Sequence, residues 1–253
     1  MKIVIPPYQT VRAGTGRAMV TGDCAPAIRQ ILEKETLYEF AARQPDARVM
    51  TGRAPVFAIE LPMGCGRVVV RHSMRGGLAA KVTQDLFILP TRGLRELMNS
   101  LRLRASGVST PEVVAYVSYA VGGIFRRSDV ATREIPDGHD LSTVLHELKE
   151  PDHRRMAFDA IAKLLKALSH AGAHHQDLNL KNILLTSGAG EGLDAHVLDI
   201  DRVRFSSPES PLVAKANLDR LLRSLRKWHD AGRIRFAPED ETFLRQHGSE
   251  VRS

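Results

Sequence analysis

Short groups of apolar residues separated by turn residues mark the first half of the chain. Residues 48–51, 56–61 and 67–71 are rich in β-branched side chains, and the turns between them predict three antiparallel strands. Residues 113–117 predict another strand. Between these strands, apolar residues recur at spacings of three and four over residues 91–106, which predicts an amphipathic helix.

Helical periodicity dominates the second half. Residues 152–171 and 217–229 each place leucine side chains on one face of a predicted helix. Between these helices, apolar runs at residues 183–185 and 197–198 flank a glycine-containing link, which predicts a β-hairpin. The pattern does not assign residues 1–46, apart from a helix predicted from about Ala27 to Phe40.

This order of elements predicts an α+β fold with two lobes. The N-lobe, residues 47–134, is expected to hold an antiparallel β-sheet with one main helix. The C-lobe, residues 135–253, is expected to be mostly helical, with the hinge near residues 134–136. Residues 1–46 are an N-terminal extension of uncertain structure. A chain of 253 residues is long enough for one large domain or two such lobes.

Composition places the chain among ordinary globular proteins. Hydrophobic residues make up 43% and charged residues 26%. Two cysteines, Cys24 and Cys65, give no disulfide framework, so a reducing compartment is expected. No run approaches the ~20 apolar residues of a membrane-spanning helix. We therefore expect a cytoplasmic protein, either soluble or attached to a membrane from that side.

The net charge of +7 is compatible with several anionic partners. Nucleic acid, anionic lipid, a phosphorylated substrate and simple solubility would all account for it. Nucleic acid is disfavoured, because aromatic residues are only 5% of the chain and do not alternate with the basic ones as stacking platforms would. We therefore predict no nucleic-acid partner.

Residues 174–201 carry the clearest chemistry. Asp177 lies five residues before Asn182, which opens the first strand of the predicted hairpin, and the second strand ends in Asp199. A carboxylate, an amide, a hairpin and a second carboxylate in this order are the layout of a phosphoryl-transfer site. Taken singly, Asp177 and Asn182 could be turn formers between a helix and a hairpin. The ordered set favours phosphoryl transfer.

The spacing gives each residue a role. Asp177 would orient the attacking hydroxyl and take its proton, while Asn182 and Asp199 would be oxygen ligands of Mg²⁺. Residues 175–182 match the kinase pattern H-R-D-x-x-x-x-N, with glutamine for arginine, and residues 199–201 stand for D-F-G. In an extended chain both acidic side chains of 199–201 would point to one side. Asp201 could bind metal or pair with a neighbouring arginine.

Two neighbouring histidines, His174 and His175, begin this segment. His175 is expected to be a packed histidine that supports backbone carbonyls, and His174 is expected to be exposed.

The first lobe would then bind the nucleotide phosphates. Gly52 lies between two strands, where a glycine-rich loop belongs, but it equally suits an ordinary hairpin turn. Arg71 ends a strand at the place of the kinase strand lysine, with Lys81 as the rival phosphate cation. Glu96 is the candidate partner of that cation. The alternative is a surface ion pair between Glu96 and Arg92.

Several of these motifs recur together in a known family: Arg71-His72, Arg75-Gly76-Gly77-Leu78, Thr91-Arg92 with Glu96, His175-Gln176-Asp177-Leu178-Asn179, Asn182-Ile183-Leu184-Leu185, Leu198-Asp199-Ile200-Asp201 and Asn217-Leu218-Asp219-Arg220-Leu221-Leu222-Arg223-Ser224. On these motifs the chain, over residues 49–226, resembles the 3-deoxy-D-manno-octulosonic acid (Kdo) kinases. They belong to the lipopolysaccharide core kinases of Gram-negative bacteria.

The resemblance implies a protein-kinase-like fold without the long activation segment. It implies ATP and Mg²⁺ as cofactors, and transfer of the γ-phosphate to a hydroxyl of Kdo on lipid A. By the same resemblance, Asp177 is the base, Asn182 and Asp199 hold Mg²⁺, and Arg71 with Glu96 organises the phosphates.

This sequence departs from the family at two positions. Ala54 stands where members tend to have glycine, and Ile200 replaces the usual aromatic residue between two aspartates. Neither change removes a ligand.

Other functions remain open at this point. A different small-molecule kinase, such as a sugar or aminoglycoside kinase, is the nearest alternative, and a pseudokinase that only binds partners is another. For a lipid A acceptor we also predict peripheral binding to the anionic cytoplasmic face of the inner membrane. The basic residues expected to dock there are those of segment 71–75 and Arg220, Arg223, Arg226 and Lys227.

Overall fold

A computed structural model gives the architecture. It describes residues 8–14, 16–50, 54–73, 92–122, 125–147, 150–188 and 192–248. These residues form twelve strands and seven α-helices. The chain divides into two compact units. We call Val4–Met98 with Glu112–Glu134 the sheet unit, and Asn99–Pro111 with Ile135–Ser253 the helical unit.

The sheet unit is built on seven antiparallel strands in the order β1-β2-β6-β7-β5-β4-β3. The strands are β1 (Tyr8–Ala13), β2 (Gly16–Thr21), β3 (Arg48–Met50), β4 (Val56–Leu61), β5 (Gly66–His72), β6 (Val113–Ala120) and β7 (Arg126–Arg133). The three predicted antiparallel strands are β3 to β5, and their pairing is confirmed. The strand predicted at residues 113–117 is β6.

The described residues before 47 belong to this sheet unit. They form the β1–β2 hairpin and two helices, α1 (Ala25–Leu32) and α2 (Leu37–Ala42). The single helix predicted from Ala27 to Phe40 was wrong. Thr36 interrupts it, because its hydroxyl accepts the Glu39 amide N–H and the Glu39 carboxylate accepts the Thr36 N–H. This capping box starts a new helix, so the sheet unit holds more than one main helix.

Helix α3 (Arg92–Ala105) matches the predicted amphipathic helix. Its start lies close against β6 and β7. A Cβ added at Gly93 would lie 2.7 Å from Cγ2 of Val130 and 2.9 Å from Cδ2 of Tyr116. Only glycine permits this approach, which brings the first turns of α3, including Glu96, down onto the sheet.

The helical unit packs α5 at its centre. Its helices are α4 (Leu141–Glu147), α5 (Pro151–His170), α6 (Pro211–Asp230) and α7 (Pro238–His247). Strands β8 (His139–Asp140), β10 (Ile183–Ser187) and β11 (Leu193–Val197) form a sheet of order β11-β10-β8, and β9 (Ala173–His175) pairs with β12 (Val203–Phe205). Ile161, Leu165 and Leu168 of α5 are fully buried in the core of this unit.

The predicted helices at residues 152–171 and 217–229 are α5 and α6, and the predicted hairpin is β10–β11. Helix α6 begins earlier than its periodicity indicated, at Pro211, because proline suits the first turn of a helix. Helix α7 was not predicted, since its sequence is mostly polar and shows little apolar periodicity. Among the described helices, none is both long and apolar enough to cross a membrane.

Candidate active site

Asp177 lies in the loop that follows β9. Helix α5 ends at His170, and Gly172 turns the chain with a φ of +62°. A Cβ at Gly172 would lie 2.5 Å from the carbonyl oxygen of Ser206, so glycine is required both for its conformation and for its space. Strand β9 then pairs with β12, with His175 opposite Val203. This pairing fixes the start of the loop.

The buried side chain of His175 supports the loop by hydrogen bonds to its backbone and to Leu198. It is fully buried. Its Nδ1 accepts the Asp177 amide N–H at 3.2 Å, and its Nε2 lies 2.9 Å from the carbonyl oxygen of Leu198. Nε2 therefore carries the proton and donates it to that carbonyl. Burial lowers the pKa of His175, although the charges of Asp199 and Asp177 act in the opposite direction. The prediction of a packed, supporting histidine is confirmed.

Asn217 of α6 anchors the same strand, and the sequence reasoning assigned it no role. It is fully buried. Its Oδ1 accepts the His175 N–H and its Nδ2 donates to the Ala173 carbonyl, both at 2.9 Å. The available signal was an asparagine on the apolar face of a strongly amphipathic helix, where a buried amide must find partners.

Asn182 and Asn179 close the loop onto Asp177. The side-chain amides of Asn182 and Asn179 donate to the Asp177 carbonyl oxygen at 2.8 and 3.0 Å. The Asn179 Oδ1 accepts the Lys181 N–H at 2.9 Å. The backbone of Asp177 is thus held from both sides, while its side chain is 47% exposed. The fixed backbone therefore places the Asp177 carboxylate at the surface, accessible to solvent.

The β10–β11 hairpin brings Asn182 beside Asp199. Ile183 pairs with Val197, and the Leu198 N–H donates to the Asn182 carbonyl at 2.9 Å. Asp199 follows at once, in the left-handed region with φ 53° and ψ 48°. Such backbone is uncommon for a residue other than glycine and clusters at functional sites. The hairpin base therefore brings Asn182 next to the residue before Asp199, and the side chains of Asn182 and Asp199 both carry an oxygen that could bind a metal.

Residues 199–201 are not extended, so the condition under which both acidic side chains would point to one side is not met. After Asp199 the chain enters a 3-10 turn over Ile200–Arg202. Ile200 turns into the core, 3% exposed, and Asp201 is also buried, at 8%. The Asn99 side chain holds this turn by donating to the carbonyls of Ile200 and Val203 at 2.7 and 3.1 Å. Strand alternation therefore does not place the carboxylates of Asp199 and Asp201 on one side.

The donors near Asp199 suit a hard divalent cation. The Asn182 Nδ2 is committed to the Asp177 carbonyl, which leaves Oδ1 as the atom that can coordinate a metal. Over the described ranges, no group of three or more histidine, cysteine, aspartate and glutamate side chains could hold a metal ion by itself. One carboxylate and one amide oxygen fit Mg²⁺ when nucleotide phosphates and water complete the octahedron.

In the sheet unit, Arg71 and Glu96 form an ion pair between their side chains. Arg71 lies near the end of β5 and Glu96 on α3. Glu96 is mostly buried, and Arg71 is 31% exposed. The predicted partners are thus together. Gly52, Lys81 and the Arg-Gly-Gly motif at 75–77 lie outside the described residues.

A buried network beside Arg71 was not predicted. Asp129 of β7 is fully buried. Its carboxylate accepts hydrogen bonds from the Tyr119 hydroxyl at 2.9 Å and from the Tyr38 N–H at 3.0 Å. It also lies 2.6 Å from Nδ1 of His72. The Tyr119 hydroxyl also accepts the Leu37 N–H at 2.9 Å. Burial, and then the charge of Asp129, raise the pKa of Tyr119. The network ties the start of α2 to the sheet.

Comparison with known proteins decides the family. The sequence model of the lipopolysaccharide kinase (Kdo/WaaP) family matches residues 59–245. The chain belongs to this family.

Individual members of the Kdo/WaaP family are similar in sequence to this protein over most of its length. A protein of Vibrio vulnificus (strain YJ016), named 3-deoxy-D-manno-octulosonic acid kinase, is 31% identical over 195 residues, 71% of this chain and 76% of that protein. A Stenotrophomonas maltophilia (strain K279a) protein of the same name is 31% identical over 201 residues, 77% and 75% of the two chains.

A solved structure supports the fold. The chain titled "WaaP in complex with acyl carrier protein" matches with a TM-score of 0.60 at 17% identity, covering 92% of this chain and 88% of that one. The predicted protein-kinase-like fold of this Kdo/WaaP family member is confirmed.

Proposed function

We propose that this chain is an ATP-dependent kinase that transfers the γ-phosphate to a hydroxyl of Kdo attached to lipid A. One observation carries the proposal: Asn182 is hydrogen-bonded both to the backbone of Asp177 and to Leu198, the residue before Asp199, in a member of a lipopolysaccharide kinase family. The relatives named as Kdo kinases supply the acceptor.

Each residue of the arrangement has a chemical task. The exposed carboxylate of Asp177 orients the acceptor hydroxyl and accepts its proton. The Asn182 Oδ1 and the Asp199 carboxylate would hold Mg²⁺, which neutralises charge on the phosphates when bound. The guanidinium of Arg71, oriented by Glu96, binds phosphate oxygens.

An acceptor panel tests the proposal. Purified protein is incubated with ATP labelled on the γ-phosphate and with one of three acceptors: Kdo–lipid A, lipid A without Kdo, or an aminoglycoside. We expect labelled product only from Kdo–lipid A. Comparable labelling of lipid A without Kdo would place the phosphate elsewhere, and labelling of the aminoglycoside would favour the alternative kinase function.

We also propose that the protein works at the cytoplasmic face of the inner membrane, bound peripherally. Two of the four basic residues proposed for docking on α6 already have acidic partners. Arg226 already pairs with Glu241 at 2.5 Å, and Arg220 lies 3.6 Å from Asp177. Arg223 and Lys227 of α6 are exposed and remain the best docking cations of that helix. Residues 74 and 75 of the segment 71–75 lie outside the described residues.

Liposome sedimentation tests the docking. A basic residue near an anionic surface contributes about 1 kcal/mol, and salt screens it. We expect binding to anionic vesicles at low salt, a loss of binding at high salt, and weaker binding of the double variant Arg223→Ala, Lys227→Ala. The matched control, Arg155→Ala with Lys163→Ala on α5, should bind as the wild type does. Salt-insensitive binding would contradict electrostatic docking.

A further inference from the structure

Arg220 of α6 faces the proposed base. Its Nη1 lies 3.6 Å from Oδ1 of Asp177, and the two side chains are 40% and 47% exposed. An exposed ion pair of this length is weak, because water screens it and two long side chains must be ordered to make it. The pair does little to hold the fold together. It leaves a guanidinium at the mouth of the catalytic loop, free to exchange one carboxylate for another.

Arg204 and His174 complete a polar cluster around Arg220. They are paired in the antiparallel β9–β12 ribbon, so their side chains lie on the same face. Arg204 is exposed and has no carboxylate within ion-pair distance among the described residues. His174 is partly buried, so the expectation that it is exposed was wrong; this burial lowers its pKa, and the positive charges of Arg220 and Arg204 lower the pKa further. Both guanidinium groups are therefore close enough to act on the neutral imidazole of His174, and one of them, Arg220, faces Asp177.

The cluster has the chemistry of a carboxylate site. A guanidinium binds a carboxylate through two parallel N–H···O bonds, and a neutral imidazole can donate a further bond. The acceptor of the proposed reaction is a sugar acid, so its ring carries a carboxylate only a few bonds from its hydroxyls. An anchor for that carboxylate beside Asp177 would aim a hydroxyl at the base.

We propose that Arg220, with Arg204 and His174, binds the carboxylate of the acceptor sugar and positions the hydroxyl that is phosphorylated. The inference rests on the proposed function and deepens it. In the free protein Arg220 pairs with Asp177. The acceptor carboxylate takes the place of Asp177 on the guanidinium, and Asp177 is released to accept the proton of the hydroxyl.

The test compares two soluble acceptors, a Kdo saccharide and the same saccharide with its carboxylate converted to the uncharged amide. We expect the amide to lower kcat/KM of the wild type by roughly 30-fold, as for loss of a charge-assisted pair. Arg220→Ala should lower kcat/KM for the carboxylate by a similar factor, leave KM for ATP unchanged, and distinguish the two acceptors much less than the wild type does, because only Arg204 and His174 remain. Arg220→Lys keeps the positive charge but cannot form two parallel N–H···O bonds. Its kcat/KM for the carboxylate should therefore lie between those of the wild type and of Arg220→Ala.

The control is Arg226→Ala, on the same helix and also in a surface ion pair, here with Glu241. It should discriminate between the two acceptors as the wild type does, and thermal unfolding should show that both variants are folded. A variant Arg220→Ala that still discriminates like the wild type would overturn the proposal, even if its turnover is low.

A lipid A phosphate is the other anion that could occupy this cluster, so the series includes Kdo–lipid A with and without its phosphates. One outcome is that the wild type responds to these phosphates while Arg220→Ala does not, with the preference for the carboxylate unchanged in the variant. That result would overturn the proposal.

If the wild type phosphorylates none of the Kdo acceptors, the proposed function fails. Calorimetric binding of the free sugar acid and of its amide then tests the carboxylate subsite by itself. A preference for the acid that Arg220→Ala abolishes would uphold it, and no preference would overturn it.

Discussion

The side-chain amide of Asn182 donates a 2.8 Å hydrogen bond to the backbone carbonyl of Asp177. This bond couples the proposed base to the proposed metal site. It holds the loop around Asp177, and because it uses the amide nitrogen, it leaves the amide oxygen of Asn182 as the atom that could bind a cation. The five-residue spacing of the two residues is therefore a geometric requirement, with the hairpin supplying Asp199 from the other strand.

Replacing Asp177 by asparagine should remove the base while preserving the loop, because the bonds from Asn182 and Asn179 reach the backbone of Asp177. We expect kcat to fall by roughly 10²-fold or more, with ATP affinity and thermal stability nearly unchanged. Single-turnover kinetics and nucleotide titration measure both. The control Asp152→Asn, at an exposed position of α5, should be silent. Turnover near the wild-type value would remove Asp177 from this role.

Asp199 and Asp201 should differ in their dependence on metal. Asp199 lies at the hairpin base beside Asn182, whereas Asp201 is buried in the following turn. We expect Asp199→Ala to raise the Mg²⁺ concentration needed for half-maximal activity at least about 10-fold. Asp201→Ala should act mainly on stability. Metal titrations of both variants, alongside urea unfolding, separate these effects, and a larger metal dependence for Asp201→Ala would mean that the wrong aspartate was assigned.

The Arg71–Glu96 pair should govern nucleotide affinity. Arg71→Ala would remove the proposed phosphate ligand, so we expect KM for ATP to rise roughly 10-fold. Glu96→Gln keeps the guanidinium but loosens its orientation, so its effect should be smaller. Arg67→Ala is the control, since Arg67 lies on the same strand and is also paired, with Glu134 at 2.6 Å. If KM for the acceptor rises instead of KM for ATP, the phosphate role of Arg71 is wrong.

Asp129 should matter for stability. Truncation to alanine leaves the Tyr119 hydroxyl and the Tyr38 N–H without their buried acceptor, and it removes the carboxylate beside His72. We expect the free energy of unfolding to fall by about 3 kcal/mol or more. Tyr119→Phe should cost about 1–2 kcal/mol. Urea denaturation measures both, and a change below about 0.5 kcal/mol for Asp129→Ala would show that the network does not stabilise the fold.

His175 should make stability depend on pH. Burial holds its pKa below the usual 6.5, so the unfolded chain binds a proton that the folded chain excludes. Its contribution to stability is therefore present above about pH 6.5 and is lost as the pH falls through that value toward the folded-state pKa. His175→Gln should lower stability at pH 8 but flatten the decline below pH 6.5. An unchanged slope in the variant would mean that His175 does not titrate on unfolding.

The sequence predicted most elements with strong periodicity and the order of the site residues. Helices α3, α5 and α6, strands β3 to β6 and the hairpin after Asn182 all follow from local pattern, and local pattern is what a sequence displays. The Asp177–Asn182 spacing could be read for the same reason. Both residues lie in one short loop whose geometry is fixed by its own hydrogen bonds.

The parts that were missed depend on distant contacts. Asp199 adopts a left-handed conformation and Ile200 enters the core, so the D-x-D run does not behave as a strand. His72 and Asp129 are in contact although they lie 57 positions apart in the sequence. No local pattern marks such a pair. Strand β1 mixes polar and apolar residues because it is the edge strand of its sheet, so its alternation is weak.

The most direct test of the account is the identity of the phosphorylated product. Kdo–lipid A is incubated with ATP, Mg²⁺ and either the wild type or Asp177→Asn, and the lipid is analysed by tandem mass spectrometry. We expect the wild type to add one phosphate, fragmentation to place it on the Kdo unit, and the variant to form almost no product over the same time. A phosphate on the glucosamine backbone, or equal product from the two proteins, would contradict it.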